Sequence, residues 1–217
     1  MQIDRDEFLR YLGWNGQEND DTFLQKLDEA AKKSLAAATP KSVVRRFDLT
    51  KEFELAGTGF VLQGQDIRNH LSGCRQVYLM AATVGQGTEK AVSLAQKKSA
   101  HEALLLDTAA SCAIESYCDD ICEDLQRDCP TLLTPRFSCG YGDFPLEAQR
   151  EICAILRTDS QIGLCCDESY LLTPRKSVTA LVGITDLPRT QKSSRGCGSK
   201  CASCKHIGCA FRKKEQS

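Results

Sequence analysis

Hydrophobic residues recur along this chain with two different periods, and the change from one to the other divides it. Phe8, Leu9 and Leu12 make a short amphipathic turn. Phe23, Leu24, Leu27, Ala30, Ala31 and Leu35 then follow at helical spacing behind Asp20 and Asp21, acids suited to a helix start, until Pro40 stops the run. From Ser42 the texture becomes β-branched and alternating, which predicts strands over Ser42 to Leu49 and Thr58 to Gln63 around a Gly-bearing turn, and a stronger strand over Arg75 to Val84. A long helical region after Gly85, broken near Ser99 to Glu102, carries an apolar stripe at Leu106, Ala110, Ile114, Tyr117, Ile121 and Leu125. Beyond a non-helical stretch around Pro130 and Pro135, the pattern predicts a helix from about Pro145 to Leu156, with Asp143 as its cap and Leu146, Ile152, Cys153 and Leu156 inward. Strands are expected again at Ile162 to Cys166 and Ser177 to Thr185, and no internal repeat is present.

Helices segregated around a few strands, without strict βαβ alternation, indicate α+β: a mostly antiparallel sheet flanked by long helices. A chain of 217 residues can bury one good core or two small ones, so one main domain is the economical division. We divide it into a helical N-terminal segment (1–40), an α+β domain (41–186) and a Cys-rich tail (187–217), where the composition shifts to Lys, Arg, Ser, Gly and Cys.

Charge and cysteine content narrow the partners. The 28 basic and 29 acidic residues nearly cancel, which argues against a general nucleic-acid or anionic-membrane footprint and for small-molecule and protein partners. The polar, acidic start lacks the features of a secretory peptide, and no apolar run approaches the roughly eighteen residues of a membrane span. A soluble, cytoplasmic protein is expected. In a reducing compartment the 13 cysteines are better read as core residues, metal ligands or redox centres than as disulfides. Nine are scattered from Cys74 to Cys166, and four crowd into Cys197, Cys201, Cys204 and Cys209.

Candidate chemistry gathers at Arg136 to Asp143, Arg-Phe-Ser-Cys-Gly-Tyr-Gly-Asp, and at Leu172 to Thr179, Leu-Thr-Pro-Arg-Lys-Ser-Val-Thr. Arginine can hold a carboxylate through two parallel hydrogen bonds, glycine lets a ligand reach the main chain, and an aromatic offers a flat surface. Such a set suits a small zwitterion; taken alone, the short pattern is more often an ordinary Gly-rich connection with a surface arginine and a core tyrosine.

Together the two segments resemble the reactivation domain of cobalamin-dependent methionine synthase, over roughly Leu105 to Thr185. The shared features are the helix with Ala113, Ile114, Glu115 and Tyr117, the Arg-x-x-x-Gly-Tyr loop and a Pro-x-x-Ser-Val run. The resemblance implies an S-adenosylmethionine site at Arg136, Gly140 and Tyr141, with Glu115 near the sulfonium, and a role in remethylating oxidised cobalamin. The loop after Tyr141, Gly-Asp-Phe-Pro-Leu-Glu, differs from that of the fused enzymes, and the chain is more similar to small stand-alone relatives. None of His70, His101 and His206 has an aspartate two residues before it, so the Asp-x-His-x-x-Gly of a corrinoid domain is missing. The cobalamin is therefore expected on a partner, a corrinoid-binding methionine synthase or methyltransferase, with a one-electron reductant such as flavodoxin or ferredoxin. The alternative is a non-catalytic, metal-containing adaptor that docks on such a protein.

The tail motif Cys197-x3-Cys201-x2-Cys204-x4-Cys209 suits tetrahedral zinc or an iron–sulfur cluster. Arg195, Lys200, Lys205, Arg212 and Lys213 would offset four thiolates and equally suit a solvated basic tail.

Overall fold

The computed structural model describes residues 1–14 and 20–188. Two helices lead: α1 (Arg5–Tyr11), capped by Asp4, and α2 (Asp21–Ala37), whose Thr22 N–H donates to Asp20 Oδ1 at 3.1 Å. The acids read as a helix start fulfil that role at α2 because a carboxylate accepts the N–H groups that the first turn leaves unpaired. Strand β1 (Lys41–Asp48) and the short pair β2 (Glu54–Leu55) and β3 (Phe60–Val61) follow, then α3 (Gln65–His70), β4 (Cys74–Thr83) and α4 (Gln86–Gln96). The predicted break in the long helical region is the junction to α5 (Ala100–Asp128), where Ser99 accepts from the Glu102 N–H at 3.3 Å. The remainder is β5 (Thr131–Leu133), β6 (Phe137–Ser138), α6 (Ala148–Leu156), α7 (Thr158–Ile162), β7 (Cys165–Cys166), β8 (Leu172–Thr173) and β9 (Ser177–Pro188).

The architecture is α+β. The main sheet runs β1-β4-β9-β5 with antiparallel pairing throughout, and β6 continues the β5 edge of β9. Side chains alternate across a strand, and both central strands use that alternation to build two cores. Val77, Leu79, Ala81 and Leu181 point to one layer, where Leu55, Ile67, Phe144, Ile152 and Leu156 cover them. Met80, Ala82, Ala180 and Val182 point to the other, against Ala113, Ile114, Cys118 and Cys122 of α5. A third cluster joins Phe8 of α1 and Leu27 of α2 to Leu105, Leu106 and Cys112 of α5. Among the described residues no helix is long and apolar enough to cross a membrane.

Several expectations are corrected. The inward line of α5 runs through Cys118 and Cys122, whose small apolar thiols pack in the core, and Tyr117 and Ile121 are only partly buried at its margin. The predicted strand at Ile162 begins as the end of α7, and only Cys165–Cys166 pairs, with β8. The Pro130 to Pro135 stretch contains β5, too short for periodicity to reveal. Leu146 is exposed, and the helix begins at Ala148.

Asp143 caps a different helix from the one expected. Its carboxylate accepts from the main-chain N–H groups of Gln65 at 2.6 Å and Asp66 at 2.9 Å, the first residues of α3, so the motif loop is tied to an element almost eighty positions earlier. Gly142, at φ 56°, touches the same helix: a Cβ there would lie 2.2 Å from Asp66 Oδ2. The Asp66 N–H and then the Gln65 N–H hold the Asp143 carboxyl below its ordinary 3.8. A depressed folded pKa adds stability that is present above the unfolded value and fades as pH falls through the folded one. Asp143→Ala is therefore expected to lower the melting temperature at neutral pH, with the difference from the parent shrinking below pH about 3.8; thermal melts across pH check this.

Candidate functional site

Arg136 sits at the break between β5 and β6, and the edge is pinned on both sides of it. The Thr134 N–H donates to Gly183 O at 2.9 Å and the Gly183 N–H donates to Thr134 Oγ1 at 2.8 Å. Beyond the break, Phe137 and Ser138 pair with Leu181 and Ala180. Pro135 has no N–H to give to a ladder, and its carbonyl instead accepts from His70 Nε2 at 2.8 Å. Burial holds the pKa of His70 below the ordinary 6.5, so a neutral imidazole bridges α3 to the edge.

Consecutive residues here reach opposite layers. Phe137 packs with the α3–α6 layer, its ring 4.9 Å from that of His70. Arg136 turns to α5 and is 4% exposed. Its Nη2 donates to Glu115 Oε2 at 3.2 Å and to Asp119 Oδ1. Glu115 and Asp119 stand one turn apart, so both reach the same guanidinium nitrogen. The Nε and Nη1 groups of Arg136 are buried and have no hydrogen-bond partner among the described residues. Burial disfavours the cation, but Cys118, Glu115, Asp119 and Cys122 together outweigh it, and the guanidinium pKa is raised. Arg136 is a fixed positive charge with donors to spare.

The other expected site residues lie differently. Tyr141 is 53% exposed, and its ring stands edge-on to Phe137 at 6.3 Å between centroids, which puts it with the layer opposite Arg136. Gly140 carries the turn between them at φ 81°, its N–H donating to Phe144 O at 2.9 Å. The structure thus brings Arg136 and Glu115 into contact and holds Gly140 and Tyr141 on the adjoining loop. Cys139 is buried, receives a weak hydrogen bond from Thr179 Oγ1 at 3.8 Å, and has its thiol pushed up to about 12 by burial; it is a neutral packing group. Cys197, Cys201, Cys204 and Cys209 lie outside the described residues. Among those described, no cluster of three or more His, Cys, Asp or Glu side chains is arranged to hold a metal ion.

Two residues escaped the sequence reading. Asp119 was legible in principle as the position one helical turn beyond Glu115. Tyr11 was not: α1 packs along α5, and burial, then the nearby Glu115 and Glu7 carboxylates, push its phenol pKa upward. Only the tertiary packing places it near Glu115.

No protein-family model matches the chain, and no curated protein matches it. A solved structure does: the MetH reactivation domain bound to AdoHcy superposes with a TM-score of 0.63 over 87% of this chain and 75% of that one, at 16% sequence identity. The likeness at that identity is one of fold.

Removing one carboxylate leaves the buried cation half compensated. Asp119→Asn is expected to destabilise the protein by roughly 1–3 kcal/mol, less than the loss of a fully buried pair because Asp119 keeps contact with water. Reversible denaturant unfolding measures this.

Proposed function

We propose that this chain binds S-adenosylmethionine and supports reductive remethylation of cobalamin on a separate corrinoid protein, a methionine synthase or related methyltransferase. The observation that carries the reading is the buried Arg136, which is fixed by Glu115 and Asp119 and whose Nε and Nη1 have no partner among the described residues, in a fold shared with the MetH reactivation domain. A guanidinium with spare donors suits a carboxylate, and the two acids beside it suit an ammonium and a sulfonium. Both halves of an α-amino acid carrying a positive sulfur thus find counter-charges within one turn of α5.

Cobalamin, held by the partner and reduced by one electron from a flavodoxin- or ferredoxin-type donor, would supply the nucleophile that takes the methyl group, leaving S-adenosylhomocysteine. This chain's residues would bind and orient the donor. Arg136 anchors the carboxylate, and Glu115 and Asp119 face the cationic groups. Catalysis on this side is positioning, since the reactive group belongs to the corrinoid.

Calorimetric titration with S-adenosylmethionine should show one site per chain. Arg136→Lys keeps the charge but loses the planar fork, and should weaken binding by about tenfold or more. A parent protein that takes up no S-adenosylmethionine refutes the reading and leaves the adaptor in its place.

A further inference from the structure

The polar side chains of α5 do not stop at the Arg136 pair. Asp107, Ser111, Glu115 and Asp119 recur every four residues, a stripe that follows one side of the helix for about 18 Å from first to last at 1.5 Å per residue. Each is exposed or half-buried, while Cys112, Ala113, Ile114 and Cys118 between them are buried. Arg136 closes one end of the stripe. Lys176 closes the other: its Nζ lies 2.9 Å from Asp107 Oδ1 and 2.9 Å from Ser111 Oγ, with the side chain 19% exposed. Between the two cations Val178 and Ala180 of β9 belong to the core facing α5, and Ser138 of β6 pairs with Ala180. A polar stripe with a cation paired at each end therefore runs along α5.

The positions of the two cations bear on the ligand's length. A free amino acid reaches only the Arg136 end. A nucleoside joined to an amino acid is long enough to extend from Arg136 past Glu115 toward Ser111. At that end an ammonium group with three donors gives two to Asp107 and Ser111 among the described residues, which leaves one for a ring nitrogen or a ribose oxygen. Asp107, exposed on its outer side, can accept from ribose hydroxyls.

We propose that Lys176, with Ser111 and Asp107, is the second anchor of the site, holding the nucleoside end of an S-adenosyl ligand whose amino-acid end is held at Arg136. The inference rests on the functional reading above and adds a direction to it: the ligand lies along α5 with its adenosine toward the start of β9. It also assigns the Pro174–Lys176 run a contact with ligand through Lys176, where the resemblance supplied only a pattern.

The decisive comparison is Lys176→Met against the parent, titrated with S-adenosylmethionine and with 5′-methylthioadenosine, which keeps the nucleoside and lacks the amino acid. Both ligands should lose about tenfold in affinity, the loss of one hydrogen bond from a charged donor. A footprint of the parent protein gives the same answer without any variant. Acetylation of Lys176 by acetic anhydride, read by mass spectrometry, should slow when either ligand is present. Tight S-adenosylmethionine binding with an indifferent Lys176→Met, or an acetylation rate untouched by ligand, overturns this inference and leaves the Arg136 reading standing. A parent that binds no S-adenosylmethionine overturns both.

Discussion

A cation shut away from water must be answered by charge, and Arg136 imposes that demand on everything around it. An isolated guanidinium in such a place would cost many kcal/mol. The compensation comes from Glu115 and Asp119, one turn apart on α5, and works only if that helix is held at a fixed height beside the sheet edge. Ile114, Cys118 and Cys122 fix the height by packing on Met80, Ala82, Ala180 and Val182. The Thr134–Gly183 pair of hydrogen bonds fixes the edge. Helix, edge strand and charge are one mechanical unit.

The opposite layer meets that unit through the main chain. His70 bonds to Pro135 O, immediately before Arg136, and Asp143 and Gly142 dock the motif loop on α3. The loop geometry is thus determined by a helix far away in sequence. Tyr141, four residues after Phe137 in the same motif, belongs with it to this second layer and faces outward. The compact motif of the sequence is split by the sheet edge into a buried, charged half and an exposed, aromatic half.

Periodicity made the long elements legible. α2, β1, β4, α5 and β9 all run where the hydrophobic pattern puts them, because each buries a face long enough to leave a repeating signature. β5, β6 and α3 were not legible: each is two to six residues long and exists because it pairs with β9 or is capped by Asp143, and β7 was legible only as the end of a longer expected strand. The same limit governs the site. Arg136 stood out as a type in a pattern and Glu115 through the resemblance, while Asp119 was missed although it stands one helical turn beyond Glu115. Tyr11 and Lys176 lie close to the same stripe of α5 only through packing across many intervening residues, which no local motif records.

The Nε–H of Arg136 is the atom group on which the central claim turns, and its nitrogen resonance can be followed directly. In a 15N-edited spectrum of the arginine side chains, titration with S-adenosylmethionine is expected to shift the Arg136 Nε–H signal to a saturating new position. A signal that stays where it is while ligand reaches saturation contradicts a binding site built on this guanidinium.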